Sequence, residues 1–163
     1  ITSYVRTHFI INDLILSGDL IEASTLTRKQ LESLTRLYEI DDKPLQKLLR
    51  KTPNVINAFK KVGKQAYPHL SEIAHFASPR PAELLHVVEP GDGLVGPSMF
   101  PMYSEHSHGC CNLQVLISLY FLYWLVGKQK EFYTDYNSLP DEKLLFSVHR
   151  TALDAGMIRV VAG

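Results

Sequence analysis

Leu20-Ile21-Glu22-Ala23-Ser24-Thr25-Leu26-Thr27-Arg28-Lys29-Gln30-Leu31-Glu32-Ser33-Leu34-Thr35-Arg36-Leu37-Tyr38-Glu39-Ile40 is the stretch that decides the fold class. Leu20, Ala23, Leu26, Leu31, Leu34 and Leu37 recur at the three- and four-residue steps that gather apolar side chains on one helix face. Asp41-Asp42-Lys43-Pro44 ends the pattern, since proline lacks a backbone donor and disfavours helix in the residue before it. Arg28, Glu32 and Arg36 stand four apart on the same helix. Exposed, they lend it modest support. Turned inward, they become a polar centre.

Outward from this helix the chain reads as more helices. Val5, Phe9, Ile10, Leu14 and Ile15 predict one over 2–17, interrupted by Ser17-Gly18-Asp19, with Asp19 as the cap of the next. Two shorter helices are expected over 45–51 and 54–66, split at Thr52-Pro53; Asn54 is a cap and Gly63 a weak point. Pro68 and Ser78-Pro79-Arg80-Pro81 bound a short helix over 68–77. Residues 84–102 read as a small hairpin or irregular excursion, turning at Pro90-Gly91-Asp92-Gly93, with Pro97 and Pro101 against a long strand. A helix over 104–126, extending toward Tyr136, precedes a last one over 141–155 closed by Gly156. Met157 to Val161 suit a short strand or tail. No low-complexity linker divides the chain. The expectation is a mainly α fold, one domain over 1–163: a helical bundle with a small β insertion.

The hydrophobic fraction of 45% and mean hydropathy of −0.04 are those of a globular chain able to bury a core. Leu113 to Val126 is the most apolar run. A bilayer span needs about 20 residues, so the run reads as a central buried helix and no membrane partner is expected. The first segment carries charges and no small-residue cleavage pattern, so no signal peptide is read. The chain begins Ile1-Thr2-Ser3, without Met, which leaves the completeness of its N-terminus open. Cys110 and Cys111 are adjacent. Their Cα atoms lie closer than the usual bridged separation of about 5.5 Å, so no disulfide is implied, and a reducing, cytoplasmic setting fits.

Acidic and basic residues balance at 17 each, which points to no polyanion overall. The distribution is less even. Lys43, Lys47, Arg50, Lys51, Lys60, Lys61 and Lys64 form a basic run over 43–64 with no acidic residue. It is either a solvated surface or a nucleic-acid contact led by Lys60 and Lys61.

Two related phrases carry the candidate chemistry: Ser71-Glu72-Ile73-Ala74-His75 and Ser104-Glu105-His106-Ser107-His108. Each sets a Glu three residues before a His, on one helix face. Paired Glu-x-x-His helices with two further carboxylates build di-iron and di-manganese centres in ferritin-like bundles. Glu72 with His75 and Glu105 with His108 are the candidate ligands here; Glu32 and Glu131 are candidates for the bridging carboxylates, and His106 is a further ligand or base. Mn, Fe or Zn is the cofactor such a set would take. The alternative is that Ser and Glu cap helix starts while the histidines organise the fold. His69 falls off the face of His75; His8, His86 and His149 are isolated. Arg80-Pro-Ala-Glu-Leu-Leu-His86 fits the loose Arg-x(4–6)-His pattern of HEPN-type ribonucleases, in which the pair flanks a scissile phosphate. Gly91-Asp-Gly93 lacks the Lys and Ser/Thr of a phosphate loop, and no Gly-x-Ser-x-Gly elbow occurs. Tyr120, Tyr123 and Trp124 read as core rather than as a stacking platform.

Ala23-Ser-Thr-Leu-Thr-Arg28-Lys-Gln-Leu-Glu32, with Tyr67-Pro-His-Leu-Ser71-Glu-Ile-Ala-His75, resembles a group of bacterial all-helical proteins that have no assigned activity. The resemblance implies a bundle in which Arg28, Glu32, Ser71 and His75 gather. It links loosely, as an analogy of fold class, to HEPN proteins, many of which act on RNA. Two functions stay open. One is a non-catalytic helical module with a structural Glu/His centre. The other is a metal-dependent or nucleic-acid-directed enzyme. Either leaves room for a homo-oligomer.

Overall fold

A computed structural model describes residues 1–85, 87–89, 91, 93, 95–98 and 100–159. The fold is mainly α, with eight helices and one two-stranded antiparallel hairpin among the described residues. The chain forms two compact units, Ile1–Cys110 and Cys111–Gly163.

In the first unit, Thr2–Ser17 (α1), Leu20–Asp42 (α2), Leu45–Leu48 (α3), Val55–Ala58 (α4), Lys60–Ala74 (α5) and Arg80–Glu83 (α6) precede the pair Val87–Val88 (β1) and Gly96–Pro97 (β2). Val87 lies opposite Pro97 and Val88 opposite Gly96. α2 is the hub, packing against α1, α3, α4 and α5. Ile11 and Ile15 of α1, Leu20, Ala23, Leu31 and Leu34 of α2, Val55 of α4, and Leu70 and Ile73 of α5 form the core. Leu26 and Leu37 are half-buried. Ser24, Thr27, Gln30 and Thr35 are buried as well, because a helix with neighbours on several sides hides more than one stripe. Three of them have hydrogen-bond partners, as burial requires: Thr35 Oγ1 donates to the Leu31 carbonyl at 2.9 Å, Gln30 Nε2 to the Tyr4 carbonyl at 3.3 Å, and Ser24 Oγ lies 4.0 Å from Cys110 Sγ.

Local chemistry explains where the helices stop, and several boundaries differ from expectation: the helix expected over 45–51, for one, spans only Leu45–Leu48. Gly18 is left-handed (φ 87°), and the Gly18 and Asp19 amides donate to the Ile15 and Leu14 carbonyls at 3.2 and 2.9 Å, a glycine-terminated end. Asp19 precedes α2, but its carboxylate accepts from Ser17 Oγ at 2.7 Å instead of capping. Asn54 does cap, accepting from the Asn57 amide at 3.1 Å. The expected helix over 54–66 is broken at Phe59, and α5 runs on through Pro68 to Ala74, absorbing most of the helix expected over 68–77. A proline inside a helix loses a hydrogen bond and crowds the preceding turn. The buried contacts of Gly63, Leu70 and Ile73 on both sides of it outweigh that local cost. Gly63 is a close-approach site rather than a weak point: a Cβ there would meet the Val55 carbonyl oxygen at 2.7 Å and Ile56 Cα at 2.9 Å.

Glu105–Phe132 (α7) starts in the first unit and supplies the first helix of the second; Leu139–Asp154 (α8) is the other. α7 is 28 residues long, continuing past Val126 through Phe132. By length and composition it could cross a membrane, and 22% of its apolar window is buried. Two expectations are thereby corrected. The helix carrying the apolar run is not too short for a bilayer, and it is not packed on most sides. Ile117, Leu119 and Phe121 are buried, whereas Leu122 and Tyr123 are exposed. α8 begins two residues earlier than expected, with Pro140 in its first turn, and gives way to Gly156 (φ 71°). Met157, Ile158 and Arg159 form no strand, and the rest of that expected segment lies outside the described residues.

Candidate functional site

The polar cluster of the first unit joins α2 to α5. Arg28 and Glu32 face α5 one helical turn apart, with Arg28 Nη2 3.1 Å from Glu32 Oε1. Tyr67 donates its hydroxyl to the same Glu32 oxygen at 2.6 Å. Arg28 Nη1 donates to His75 Nε2 at 3.1 Å, which makes Nε2 the acceptor and assigns the ring proton to Nδ1. The guanidinium also lies 5.7 Å from the Tyr67 ring centre, a cation–π distance. Arg28 and Glu32 side chains keep about a fifth of their surface exposed (21% and 23%), and His75 is exposed at the C-terminal end of α5. Arg28 Nε is buried without a hydrogen-bond acceptor. Burial and the bond to Glu32 hold the Tyr67 phenol above its ordinary pKa, against a smaller opposing pull from Arg28.

The proposed convergence of the two Glu-x-x-His phrases does not occur. Glu72 turns to Arg80, at 3.0 Å, rather than to a ligand set. Glu105, His106 and His108 sit exposed on the first turn of α7, and the His108 ring lies edge-on to Tyr103 at 5.2 Å. Among the described residues, no group of three or more His, Cys, Asp or Glu side chains could hold a metal. Glu32, Glu72, His75, Glu105 and His108 form no such group among the described residues: Arg28 and Arg80 pair with the first two carboxylates, and the second phrase lies at the start of α7. Ser107 Oγ accepts from the Ser104 amide at 3.0 Å, the reciprocal bond of a capping box with serine in the acid's place. Glu131, the other bridging candidate, pairs with Lys128 at 2.6 Å.

The remaining candidates divide. Lys60 and Lys61 are exposed on the first turn of α5, as are the other five cations of the run 43–64 along their own segments. Arg80 belongs to the ion pair with Glu72, and His86 lies outside the described residues. His149 is not isolated: its Nδ1 is 2.7 Å from the Tyr123 hydroxyl. Trp124 stacks on Phe121, centroids 6.1 Å apart. The residue missed by spacing alone is Tyr67. It precedes Ser71 and His75 by four and eight residues, and that four-residue step on one helix face was the signal available.

No known family model matches the chain, no curated protein matches it, and no solved structure matches it.

Proposed function

We propose that the chain is a non-catalytic helical module in which Arg28, Glu32, Tyr67 and His75 fasten α2 to α5. The observation that supports this reading is that the Arg28 guanidinium is already engaged within the chain, by Glu32, by His75 and by the Tyr67 ring. An arginine committed in this way orients helices; one that acts on a phosphate would present its donor fork to open space. The clefts described, of about 260–430 Å³, include no residue of the cluster.

Substituting Arg28→Ala tests the reading. It removes a charge-assisted ion pair and hydrogen bond and leaves Glu32 part-buried, a loss of about 2 kcal/mol. For a chain of this size that is a fall in melting temperature of roughly 4–8 °C. His75→Ala, at an exposed position, should cost less than about 1 kcal/mol. Protein purified without chelator should carry no stoichiometric Mn, Fe or Zn. Unchanged melting in Arg28→Ala would oppose the reading. So would salt-sensitive RNA or DNA binding that disappears in the same variant while the fold persists.

A further inference from the structure

In the second unit the C-terminal half of α7 and the N-terminal half of α8 flank an open groove. Leu122, Leu125 and Val126 form one wall, Leu144, Leu145 and Val148 the other, and the space between them is about 300 Å³. Gln129, Tyr136 and Asp141 also line it, and its apolar walls are uncovered: Leu144 is 64% exposed, Val148 43% and Leu122 38%. Along α8 and its C-terminal cap residue, Leu144, Val148, Thr151 and Ala155 follow steps of four, three and four residues on one side. Lys143, Ser147, Arg150 and Asp154 repeat those steps along its edge.

This edge is complementary to its own reverse. When two copies of α8 run antiparallel about a two-fold axis near residues 148 and 149, Lys143 of one copy meets Asp154 of the other, twice. Arg150, 3.8 Å from its own Asp154, then faces the partner's Ser147 rather than a like charge. Two-helix layers that share an apolar face close as four-helix bundles, and a two-fold interface must be self-complementary in this manner. The size is sufficient but modest. A 16-residue helix is about 24 Å long, and two helices side by side present roughly 500 Å² per partner. Together the partners reach about the 1,000 Å² at which specific interfaces begin.

We propose that the α7–α8 groove is a homodimer interface, in which the α8 faces of two copies of this chain pack antiparallel and Lys143–Asp154 pairs fix the register. An area at this lower limit belongs to the weak, transient class of interface, so the dimer should dissociate on dilution. Sedimentation velocity over a concentration series tests it. The unmodified chain should pass from monomer to dimer, and L144E or V148E, at exposed positions that leave the monomer's melting curve unchanged, should weaken association at least tenfold. Lys143→Asp should weaken it, and Lys143→Asp combined with Asp154→Lys should restore it. A chain that stays monomeric at about 1 mM, leaving the groove to an unrelated helix or an apolar ligand, overturns the proposal. A dimer indifferent to L144E and V148E, or a charge reversal that fails to rescue, overturns it as well.

Discussion

Leu31→Ala should destabilise the protein by about 3–5 kcal/mol, lowering its melting temperature by roughly 10 °C. Leu31 is wholly buried near the middle of α2, the helix on which α1, α3, α4 and α5 all pack. Truncation removes the transfer free energy of the lost methyl groups and leaves a void that a hub helix cannot collapse without disturbing its neighbours. Ile40→Ala is the matched control, on the same helix but at a residue 46% exposed; it should cost under about 1 kcal/mol. Thermal or urea unfolding of the two variants gives the comparison. Equal losses would mean that α2 is not the hub.

Gly18→Ala should rank beside it. The residue sits at φ 87°, and an added Cβ would approach three backbone atoms of Met102 more closely than the 3.0 Å that real Cβ atoms respect. The left-handed backbone costs a side chain about 1–2 kcal/mol, and separating the two backbones adds about 1–3 kcal/mol. Gly156→Ala isolates the second contribution: it has φ 71° with open space around it, so it should show only the conformational loss of about 1–2 kcal/mol. A urea series on both variants measures the difference, and it should favour Gly156→Ala. The order of the two reversed would show that Met102 does not lie against the end of α1.

The helices were legible where periodicity and stop signals agreed. Leu20 to Leu37 announces α2, Val5 to Ile15 announces α1, and Gly18 and Gly156 mark helix ends. The errors arose where local signals were outweighed by packing. Pro68 reads as a boundary because its ring opposes helix, yet the buried contacts of Gly63, Leu70 and Ile73 carry α5 past it. Leu113 to Val126 reads as a packed centre because it is apolar, but hydrophobicity does not say which side finds a neighbour, and Leu122 and Tyr123 find none that covers them.

The candidate site was half legible for a related reason. Residue spacing within a helix places Glu72 beside His75 and Glu105 beside His108, but it carries no information about which helices meet. Arg80 claims Glu72 across a turn that no periodicity describes. Arg28 and Glu32 read from spacing as a ladder and from the resemblance as neighbours of His75; they meet His75 and, in addition, Tyr67. The duplication of the phrase reflects a common use, a polar residue and an acid near a helix terminus, more than a shared centre.

The link between α2 and α5 is tested most directly by a double-mutant cycle on Glu32 and Tyr67, whose oxygens lie 2.6 Å apart. Glu32→Ala, Tyr67→Phe and the pair together are compared by urea unfolding at neutral pH. A charge-assisted hydrogen bond in a part-buried setting predicts a coupling of about 1–2 kcal/mol, the double variant losing less than the sum of the single ones. Strictly additive losses would contradict the account, since the two side chains would then stabilise the fold independently and nothing would fasten one helix to the other through them.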